Sequence, residues 1–164
     1  GPRLFSGLSR DDAMTVIRAD AQHLDALAPL FDAYRQFYRQ PSDLPAARAF
    51  LQARLDADES VILAAALPEA GGLVGFTQLY PFFSSVRMRR VWVLNDLYVA
   101  PEGRRRGVAR ALMDAAHGFA ASTGAASVEL ATESDNTSAQ ALYDGLGYER
   151  DDAYWHYAFS LGTP

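Results

Sequence analysis

Hydrophobic residues along the chain follow two periods, one typical of strands and one typical of helices. Residues 14–19 (MTVIRA) alternate and are rich in β-branched side chains, which predicts a first strand. Asp20 can then cap a helix, and Pro29 is expected to bend or interrupt that helix. The apolar stripe of this helix recurs at spacings of three and four and comprises Leu24, Leu27, Phe31, Tyr34 and Tyr38.

A second helix is expected to follow the break at residues 40–45 (QPSDLP), with Ser42 or Asp43 as its cap. Its apolar face comprises Leu44, Ala47, Leu51 and Leu55. Three strands are then predicted over residues 60–67, 73–80 and 91–99. The turn at residues 68–72 joins the first two as a hairpin, and an irregular or bulged connection is expected over residues 81–90.

The last third of the chain predicts a helix, a strand, a helix and a closing strand. The first helix has Val108, Leu112, Ala115 and Phe119 on its inner face, and residues 126–132 form the strand after it. A capping box of Thr137 and Gln140 starts the second helix, and Gly145 or Gly147 ends it. Residues 153–161 alternate and predict the closing strand, so the whole order indicates a mixed α/β sheet.

The composition of the chain limits the classes of protein to which it can belong. The chain has 164 residues, which predicts one domain, and 49% of them are hydrophobic. It has no cysteine, which excludes disulfides and a cysteine nucleophile, and its three histidines lack metal-ligand spacing. A formal net charge of -5 argues against a general nucleic-acid binder, and no membrane span or signal peptide is visible. We therefore expect a cytoplasmic protein with no metal, nucleic-acid or membrane partner.

The two ends of the chain carry little information. The opening Gly-Pro resembles a scar of tag removal, so residues 1–13 are expected to be that scar and a flexible N-terminus. The single domain is expected to span residues 14–162.

A cluster of arginines precedes the helix that begins near Val108. Arg104, Arg105 and Arg106 stand at the positive end of the helix dipole, where cations are unfavourable by roughly 0.3–1 kcal/mol each. An anion at this position would satisfy the free N–H groups of the first turn, and Gly107 would let it approach the backbone. A solvated basic turn explains the same residues, and they match neither a Walker A loop nor a Rossmann fingerprint.

The residues around this turn resemble a known signature. LYVAPEGRRRGVARALM is similar to the acetyl-CoA-binding motif of the GCN5-related N-acetyltransferase (GNAT) family, Arg/Gln-x-x-Gly-x-Gly/Ala, here Arg104-x-x-Gly107-x-Ala109. VLNDLYV and ESDNTSAQALYDGLGYER look most like the branch that includes polyamine and other small-amine acetyltransferases. The resemblance implies a single-domain GNAT fold, with a mostly antiparallel sheet whose central strands splay apart and about four helices.

The resemblance also implies where acetyl-CoA would bind. The diphosphate would lie on the loop amides, and the pantetheine arm would pair with the exposed backbone of the signature strand. A bulge near Asn95 and Asp96 would help to open the gap beside that strand. The cofactor-binding residues implied in this way are Leu97, Tyr98, Val99, Arg104, Arg105, Arg106, Gly107, Val108, Ala109, Arg110, Asn136 and Tyr143.

Catalytic roles follow from the same resemblance. Tyr143 matches the family's general acid, and a strand amide near Val99 could stabilise the oxyanion. Polyamine-type relatives carry a glutamate where this chain has Asn95, so Asp96 is the remaining candidate base, acting through a water or holding the acceptor ammonium. Helix capping by Asn136, core packing of Tyr143 and a structural role for Asp96 remain open alternatives.

The acceptor side is expected to be a small amine. Candidate substrate-binding residues are Tyr34, Tyr38, Phe83, Asn95, Asp96 and Trp155. The function expected is therefore acetyl transfer from acetyl-CoA to a small primary amine in a ternary complex, by a possible homodimer. A protein lysine or N-terminal acetyltransferase and a non-catalytic acyl-CoA-binding domain are the alternatives.

Overall fold

A computed structural model describes residues 14–162, so the expectation for residues 1–13 lies outside the described part. One sheet has the order β1-β2-β3-β4-β5. Its strands are β1 (Thr15–Arg18), β2 (Val61–Leu67), β3 (Gly72–Ser84), β4 (Arg89–Val99) and β5 (Ser127–Glu129). The helices over residues 14–162 are α1 (Leu24–Phe37), α2 (Leu44–Asp56), α3 (Val108–Ser122) and α4 (Thr137–Gly145). Single 3₁₀ turns lie at Ala21–His23, Pro68–Ala70 and Pro101–Gly103.

The sheet is mixed and mostly antiparallel, as the sequence predicts. Strands β1 to β4 pair antiparallel with their neighbours, and β4 pairs with β5 in parallel. Of the described residues, 14–131 form one compact unit, which holds the sheet and helices α1 to α3. Residues 132–162 belong to a second unit, which holds α4.

Helices α1 and α3 lie on opposite faces of the sheet. Phe31 of α1 meets Phe76 of β3 with ring centroids 6.1 Å apart, whereas Gly75 faces Val108 of α3. Successive strand residues point to opposite faces, so these two contacts fix the layers. The α1 side holds a core of buried residues that includes Leu24, Leu27, Phe31, Leu51, Ile62 and Phe76.

Local signals set the ends of the first two helices. Asp20 caps the 3₁₀ turn before α1 in a capping box with His23, and Asp43 caps α2 by accepting from the N–H of Ala46 at 3.1 Å. Pro29 does not interrupt α1. Proline has no N–H, so the carbonyl four residues before Pro29 lacks its usual hydrogen bond within the helix. Because the side chain of Pro29 is exposed, this carbonyl lies on the solvent side of the helix, where water can donate to it.

The β3–β4 hairpin corrects the expected connection. Residues 81–84 continue β3 and pair with β4, so only residues 85–88 form the turn, and its last residue Met88 has a φ of 52°. Pro81 is tolerated because β2 pairs with β3 only as far as Leu79, which leaves Pro81 with one strand neighbour.

Two further predictions in the sheet unit need adjustment. The inner face of α3 keeps Val108 and Leu112, but its remaining buried residues are Met113, Ala116 and Ala120, while Ala115 and Phe119 are only half-buried. Strand β5 is shorter than the predicted span of residues 126–132.

The second unit departs from the prediction at its start and its end. Asn136, one residue before Thr137, is the cap of α4, because its Oδ1 accepts from the N–H of Ala139 at 3.1 Å. Gly147, with φ of 91°, follows the helix end as predicted. The predicted closing strand over residues 153–161 is wrong, since that segment forms no strand, and its aromatic side chains such as Tyr157 are exposed. Alternation alone does not supply the partner strand that a ladder needs.

Candidate active site

A β-bulge in β4 marks the centre of the candidate site. Gln78 of β3 pairs with Asp96, but the next residue, Leu79, pairs with Leu94, so Asn95 is the extra residue. A bulge of this kind redirects side chains and bends the strand. The bulge predicted near Asn95 and Asp96 is therefore confirmed.

Asp96 is the buried acid at this bulge, with 3% of its surface exposed. Its Oδ2 accepts from Nε2 of Gln78 at 2.5 Å. Its Oδ1 accepts from Nδ2 of Asn95 at 2.8 Å and from the hydroxyl of Tyr34 at 3.1 Å. Thr77 fixes the backbone here, because its hydroxyl donates to the Asp96 carbonyl at 2.7 Å. The carboxyl group is thus held on both oxygens by side chains from α1, β3 and β4.

Burial and hydrogen bonding act on the pKa of Asp96 in opposite directions. Burial raises the pKa of Asp96 and is the largest effect, while the hydrogen bonds from Gln78, Asn95 and Tyr34 lower it, and the net direction is upward. Burial is the largest cause that raises the pKa of Tyr34, and the nearby charge of Asp96 is the second. Tyr34 therefore stays protonated. Burial also raises the pKa of Tyr80 to about 12, with the Asp96 charge as the second cause.

Aromatic rings cover Asp96 from the α1 side. Tyr34 meets the rings of Tyr38 at 5.2 Å, Phe76 at 5.7 Å and Tyr98 at 6.3 Å between centroids, all edge to face. Tyr38 is 39% exposed, so this group reaches the surface. An aromatic wall next to a carboxylate can hold an ammonium group.

The sequence analysis missed the β3 residues of this cluster. Thr77 and Gln78 are both fully buried polar residues within an otherwise apolar strand. Buried polar side chains need partners, so a polar pair inside LVGFTQLY was the available signal. Tyr80 lies on the same face of β3 as Gln78, two residues on.

A cavity of about 650 Å³ opens beside Tyr80, between α2 and β3. Its lining comprises Phe50, Arg54, Asp58, Glu59, Tyr80 and Pro81. Arg54 is already engaged there, because its Nε contacts Glu59 at 2.8 Å and its guanidinium lies over the Phe50 ring at 4.6 Å.

The edge of β4 is open where the site lies. Strand β5 pairs with β4 only from Val91 to Val93. From Leu94 to Val99, β4 has β3 on one side and, among the described residues, no strand on the other. Pairing of β4 with β5 therefore stops before the site, as the predicted splay requires. The backbone groups of Leu97 lie on the open side, whereas those of Tyr98 face β3, because alternate residues of an antiparallel pair bond the partner strand and Ala100 N–H donates to the Val74 carbonyl.

The arginine turn follows directly at the end of β4. The sign of φ alternates along it: Arg104 has -73°, Arg105 has 62°, Arg106 is negative and Gly107 has 74°. A turn with left-handed residues can present N–H groups to an anion. Arg104 itself is extended, with ψ of 154°, and its N–H donates to the Pro101 carbonyl at 3.3 Å. Helix α3 begins at Val108 without a side-chain cap, so the N–H groups of Val108, Ala109 and Arg110 have no partner within the helix.

The arginine side chains at this turn differ in their hydrogen-bond and ion-pair partners. Nε of Arg104 donates to the Val99 carbonyl at 3.1 Å, which occupies that carbonyl. The Arg106 guanidinium pairs with Glu69 in the turn between β2 and β3. Arg105 and Arg110 are exposed at the helix start.

Four further predicted site residues are described within their own units. Phe83 is five residues beyond Gln78 on β3, about 17 Å along the strand, under the guanidinium of Arg90 at 4.6 Å. It therefore does not join the Asp96 cluster. In the second unit, Asn136 caps α4, Tyr143 meets the Tyr148 ring at 5.8 Å, and Trp155 is 83% exposed.

Two kinds of feature are absent from residues 14–162. No group of three or more histidine, aspartate or glutamate side chains there could hold a metal ion. None of the helices in this range has both the length and the apolar character to cross a bilayer.

Comparison with known proteins leads to the same family as the signature. The model of the Acetyltransferase (GNAT) family matches residues 26–148. The chain is 48% identical over 148 residues to the uncharacterized N-acetyltransferase YhfO of Bacillus subtilis (strain 168), which covers 90% of this chain and 98% of that protein. It is 33% identical to a probable acetyltransferase of Haemophilus influenzae (strain ATCC 51907 / DSM 11121 / KW20 / Rd) over 65% of this chain and 72% of that protein.

A solved structure extends the similarity to the fold. The crystal structure of a probable acetyltransferase superposes with a TM-score of 0.86 and 42% identity, over 92% of this chain and 99% of that one. Its fold, the family match and the sequence identity to YhfO all indicate the same family. The chain therefore belongs to the acetyltransferase (GNAT) family and is an N-acetyltransferase.

Proposed function

We propose that this N-acetyltransferase moves the acetyl group of acetyl-CoA to a primary amine of a small molecule, by direct attack in a ternary complex. The observation that carries this proposal is the buried carboxyl of Asp96 under the aromatic rings of Tyr34 and Tyr38, next to the open edge of β4. A buried acid beside aromatic faces suits an amine, which must be held as a cation and then lose a proton.

Members of the GNAT family use acetyl-CoA, and the residues present fit this co-substrate. The turn after Arg104 and the uncapped start of the next helix at Val108 offer N–H groups, with Arg105 and Arg110 nearby for the phosphates. The backbone of Leu97, on the open side of β4, offers hydrogen bonds to the amide groups of the pantetheine arm. The carbonyl of Val99 is less available, because Arg104 already donates to it.

The acceptor would then lie on the α1 face of β4. Asn95 is exposed, and the Tyr34 hydroxyl borders both Asn95 and Asp96, so an amine placed there meets polar groups from two elements. The amine of the acceptor would attack the thioester carbonyl at the strand edge, where the N–H of Val99 is the proposed donor to the developing oxyanion. Tyr143 is the proposed general acid for the departing thiolate, a role carried over from the family. Without cysteine, the chain cannot form a thioester with its own side chains.

A panel of acceptors with acetyl-CoA tests the proposal, with release of free thiol as the readout. The panel contains diamines and polyamines, amino acids, aminoglycosides, a lysyl peptide and a peptide with a free N-terminus. We expect turnover with at least one small amine, and its kcat/KM should be well above that of both peptides. Preference for a peptide would replace the small-amine proposal with the protein acetyltransferase alternative.

Variants separate catalysis from binding. Tyr143→Phe is expected to lower kcat by about 10²-fold, the size of a lost general acid, while calorimetry finds the acetyl-CoA affinity nearly unchanged. Tyr157→Phe, at an exposed tyrosine of the same unit, is the matched control and should leave both quantities unchanged. Tight acetyl-CoA binding without thiol release for any amine would favour a non-catalytic acyl-CoA-binding domain.

A further inference from the structure

We infer that the hydroxyl of Tyr34 relays the proton of the acceptor ammonium to Oδ1 of Asp96 and then turns its own hydrogen toward the carbonyl of Asn95. This inference rests on the proposed function, because it assigns the route by which the acceptor amine becomes a nucleophile. It adds Tyr34 to the reaction as a catalytic residue, beyond a role in packing against the acceptor.

Access to Asp96 is the first reason for a relay. Only 3% of Asp96 is exposed, whereas Tyr34 is half-buried and its hydroxyl contacts the carboxyl at 3.1 Å. An ammonium group on the surface side of the cluster therefore reaches the Tyr34 oxygen before it reaches the carboxyl. Proton transfer requires a hydrogen-bonded path, and Tyr34 supplies one.

The two carboxyl oxygens of Asp96 differ in their ability to receive a proton. Oδ2 lies 2.5 Å from Nε2 of Gln78, a fully buried side chain that blocks entry from that side. Oδ1 accepts from Asn95 and Tyr34, and the Asn95 amide nitrogen only donates. Tyr34 is thus the neighbour of Oδ1 that can both give a proton and accept a hydrogen bond.

The Tyr34 hydroxyl also has a second acceptor within reach. It lies 3.4 Å from the backbone carbonyl of Asn95, the bulged residue, and 3.1 Å from Oδ1 of Asp96. In the relay, the ammonium N–H bond breaks and its proton bonds to the Tyr34 oxygen, while the original hydroxyl proton moves to Oδ1. Afterwards Oδ1–H donates to the Tyr34 oxygen, and the new Tyr34 hydrogen points to Asn95. The amine keeps its lone pair, and the negative charge of Asp96 is neutralised.

The charges around the pair are consistent with a neutral tyrosine as the carrier. The titratable groups that face Asp96 are Tyr34 from α1 and Tyr80 from β3, while Arg54 from α2 acts on Tyr80. Burial and then the nearby carboxylate raise the pKa of Tyr34, which favours the neutral hydroxyl over tyrosinate. The relay therefore needs a concerted exchange of two protons on one oxygen.

The first test compares acceptors whose amines differ in pKa. Tyr34→Phe keeps the ring contacts but removes the hydroxyl, and we expect kcat/KM at pH 7.5 to fall about 10²-fold for an acceptor amine that is protonated in solution. For an acceptor amine with a pKa below the assay pH, the loss should be less than about tenfold, because no proton has to be carried away. Equal losses for both kinds of acceptor would assign Tyr34 a purely structural role and overturn the relay.

The second test needs no turnover. In protein with ¹³C-labelled tyrosine Cζ and aspartate Cγ, the Tyr34 signal, assigned by its loss in Tyr34→Phe, should shift with the same midpoint as the Asp96 signal. In Tyr34→Phe the pKa of Asp96 should rise, because a hydrogen bond that lowers it is lost. A Tyr34 signal that does not follow Asp96 would refute the movement of the hydroxyl. If wild-type protein acetylates no amine, the proposed function fails, whereas the titration still decides the behaviour of Tyr34.

Discussion

Gln78 and Asp96 face each other across the β3–β4 pair, and Nε2 of Gln78 donates to Oδ2 of Asp96 over 2.5 Å. Both side chains are buried, and the other end of the amide, Oε1 of Gln78, has no hydrogen-bond partner in the described chain. The hydrogen bond that the Gln78 side chain makes in the described chain is therefore the one to this carboxyl group.

Replacing Gln78 with leucine should weaken the fold and raise the pKa of Asp96. The buried carboxyl loses a donor, which costs about 1–3 kcal/mol of unfolding free energy. In the wild-type protein the hydrogen bond from Gln78 lowers the pKa of Asp96, so its loss should raise that pKa. The acidic limb of the pH profile of kcat/KM should therefore move to higher pH. Denaturant unfolding and the pH profile measure the two effects. Gln52→Leu, at an exposed position of α2, is the control and should change stability by no more than about 0.5 kcal/mol.

Compared with the wild-type protein, the Asp96→Asn variant should become more stable as the pH rises. Burial raises the pKa of Asp96 above its ordinary value of 3.8, so the folded chain binds this proton more tightly than the unfolded chain. The wild-type protein therefore loses stability as the pH rises from 3.8 through the raised pKa, and the variant lacks that loss. The same substitution should abolish acetyl transfer if Asp96 is the base.

Urea unfolding of both proteins between pH 4 and pH 8 measures this difference. The gap between the variant and the wild type should widen with pH and then level off. Asp114→Asn, at an exposed position of α3, should show no such widening. A gap that narrows with pH would mean that the hydrogen bonds to Asp96 outweigh its burial.

The order of elements could be predicted from the sequence because each element carries its own period or cap. The alternation in β4, the stripe in α1 and the caps Asp20 and Asp43 are local signals, and the structure has all of them. Residues 153–161 carry an equally clear alternation and form no strand. A strand exists only with a partner, and no local pattern reports whether the partner is there.

The candidate site also has features that the sequence predicted and features that it did not. The glycine turn at Gly107 follows from local residue types, the bulge at Asn95 was implied by the family resemblance, and the structure has both. The partners of Asp96 did not follow, because Gln78 is 18 residues away and Tyr34 is 62 residues away along the chain. Only the pairing of β3 with β4 and the packing of α1 on that face bring these three side chains together.

Gly75→Ala should destabilise the protein, although its backbone conformation suits alanine. A Cβ atom at position 75 would lie 2.9 Å from the carbonyl oxygen of Tyr98 and 3.2 Å from Cγ1 of Val108. Because the nearer atom is backbone, β4 would have to move, and we expect a loss of about 1–3 kcal/mol. The affinity for acetyl-CoA should fall too, since a shift of β4 would move its open edge, and Val108 begins the helix after the arginine turn.

Gly118→Ala is the matched control for this substitution. Gly118 lies in α3 with nothing within 4 Å of an added Cβ atom, so alanine should stabilise the helix by about 1 kcal/mol. Thermal or denaturant unfolding compares the two variants. A Gly75→Ala protein as stable as the wild type would mean that the strand adjusts to the extra atom without strain.

Glu69→Gln should strengthen acetyl-CoA binding if Arg106 contacts the phosphates. Glu69 and Arg106 form an ion pair, and their side chains are 44% and 47% exposed, so the pair contributes little to stability. While it is formed, the carboxylate competes with a phosphate for the same guanidinium. Removing that charge should lower the Kd of acetyl-CoA roughly threefold, as measured by calorimetry at low salt.

A matched control distinguishes release of Arg106 from a change in overall charge. Glu102 is an exposed carboxylate in the 3₁₀ turn before Arg104, so Glu102→Gln removes the same charge close to the same loop. Its effect on the Kd should be smaller than that of Glu69→Gln. In the Arg106→Ala background, Glu69→Gln should lose its effect, because the guanidinium it releases is absent. Equal effects of the two glutamine variants, or an effect that persists without Arg106, would show that Glu69 acts only through the general field at the loop.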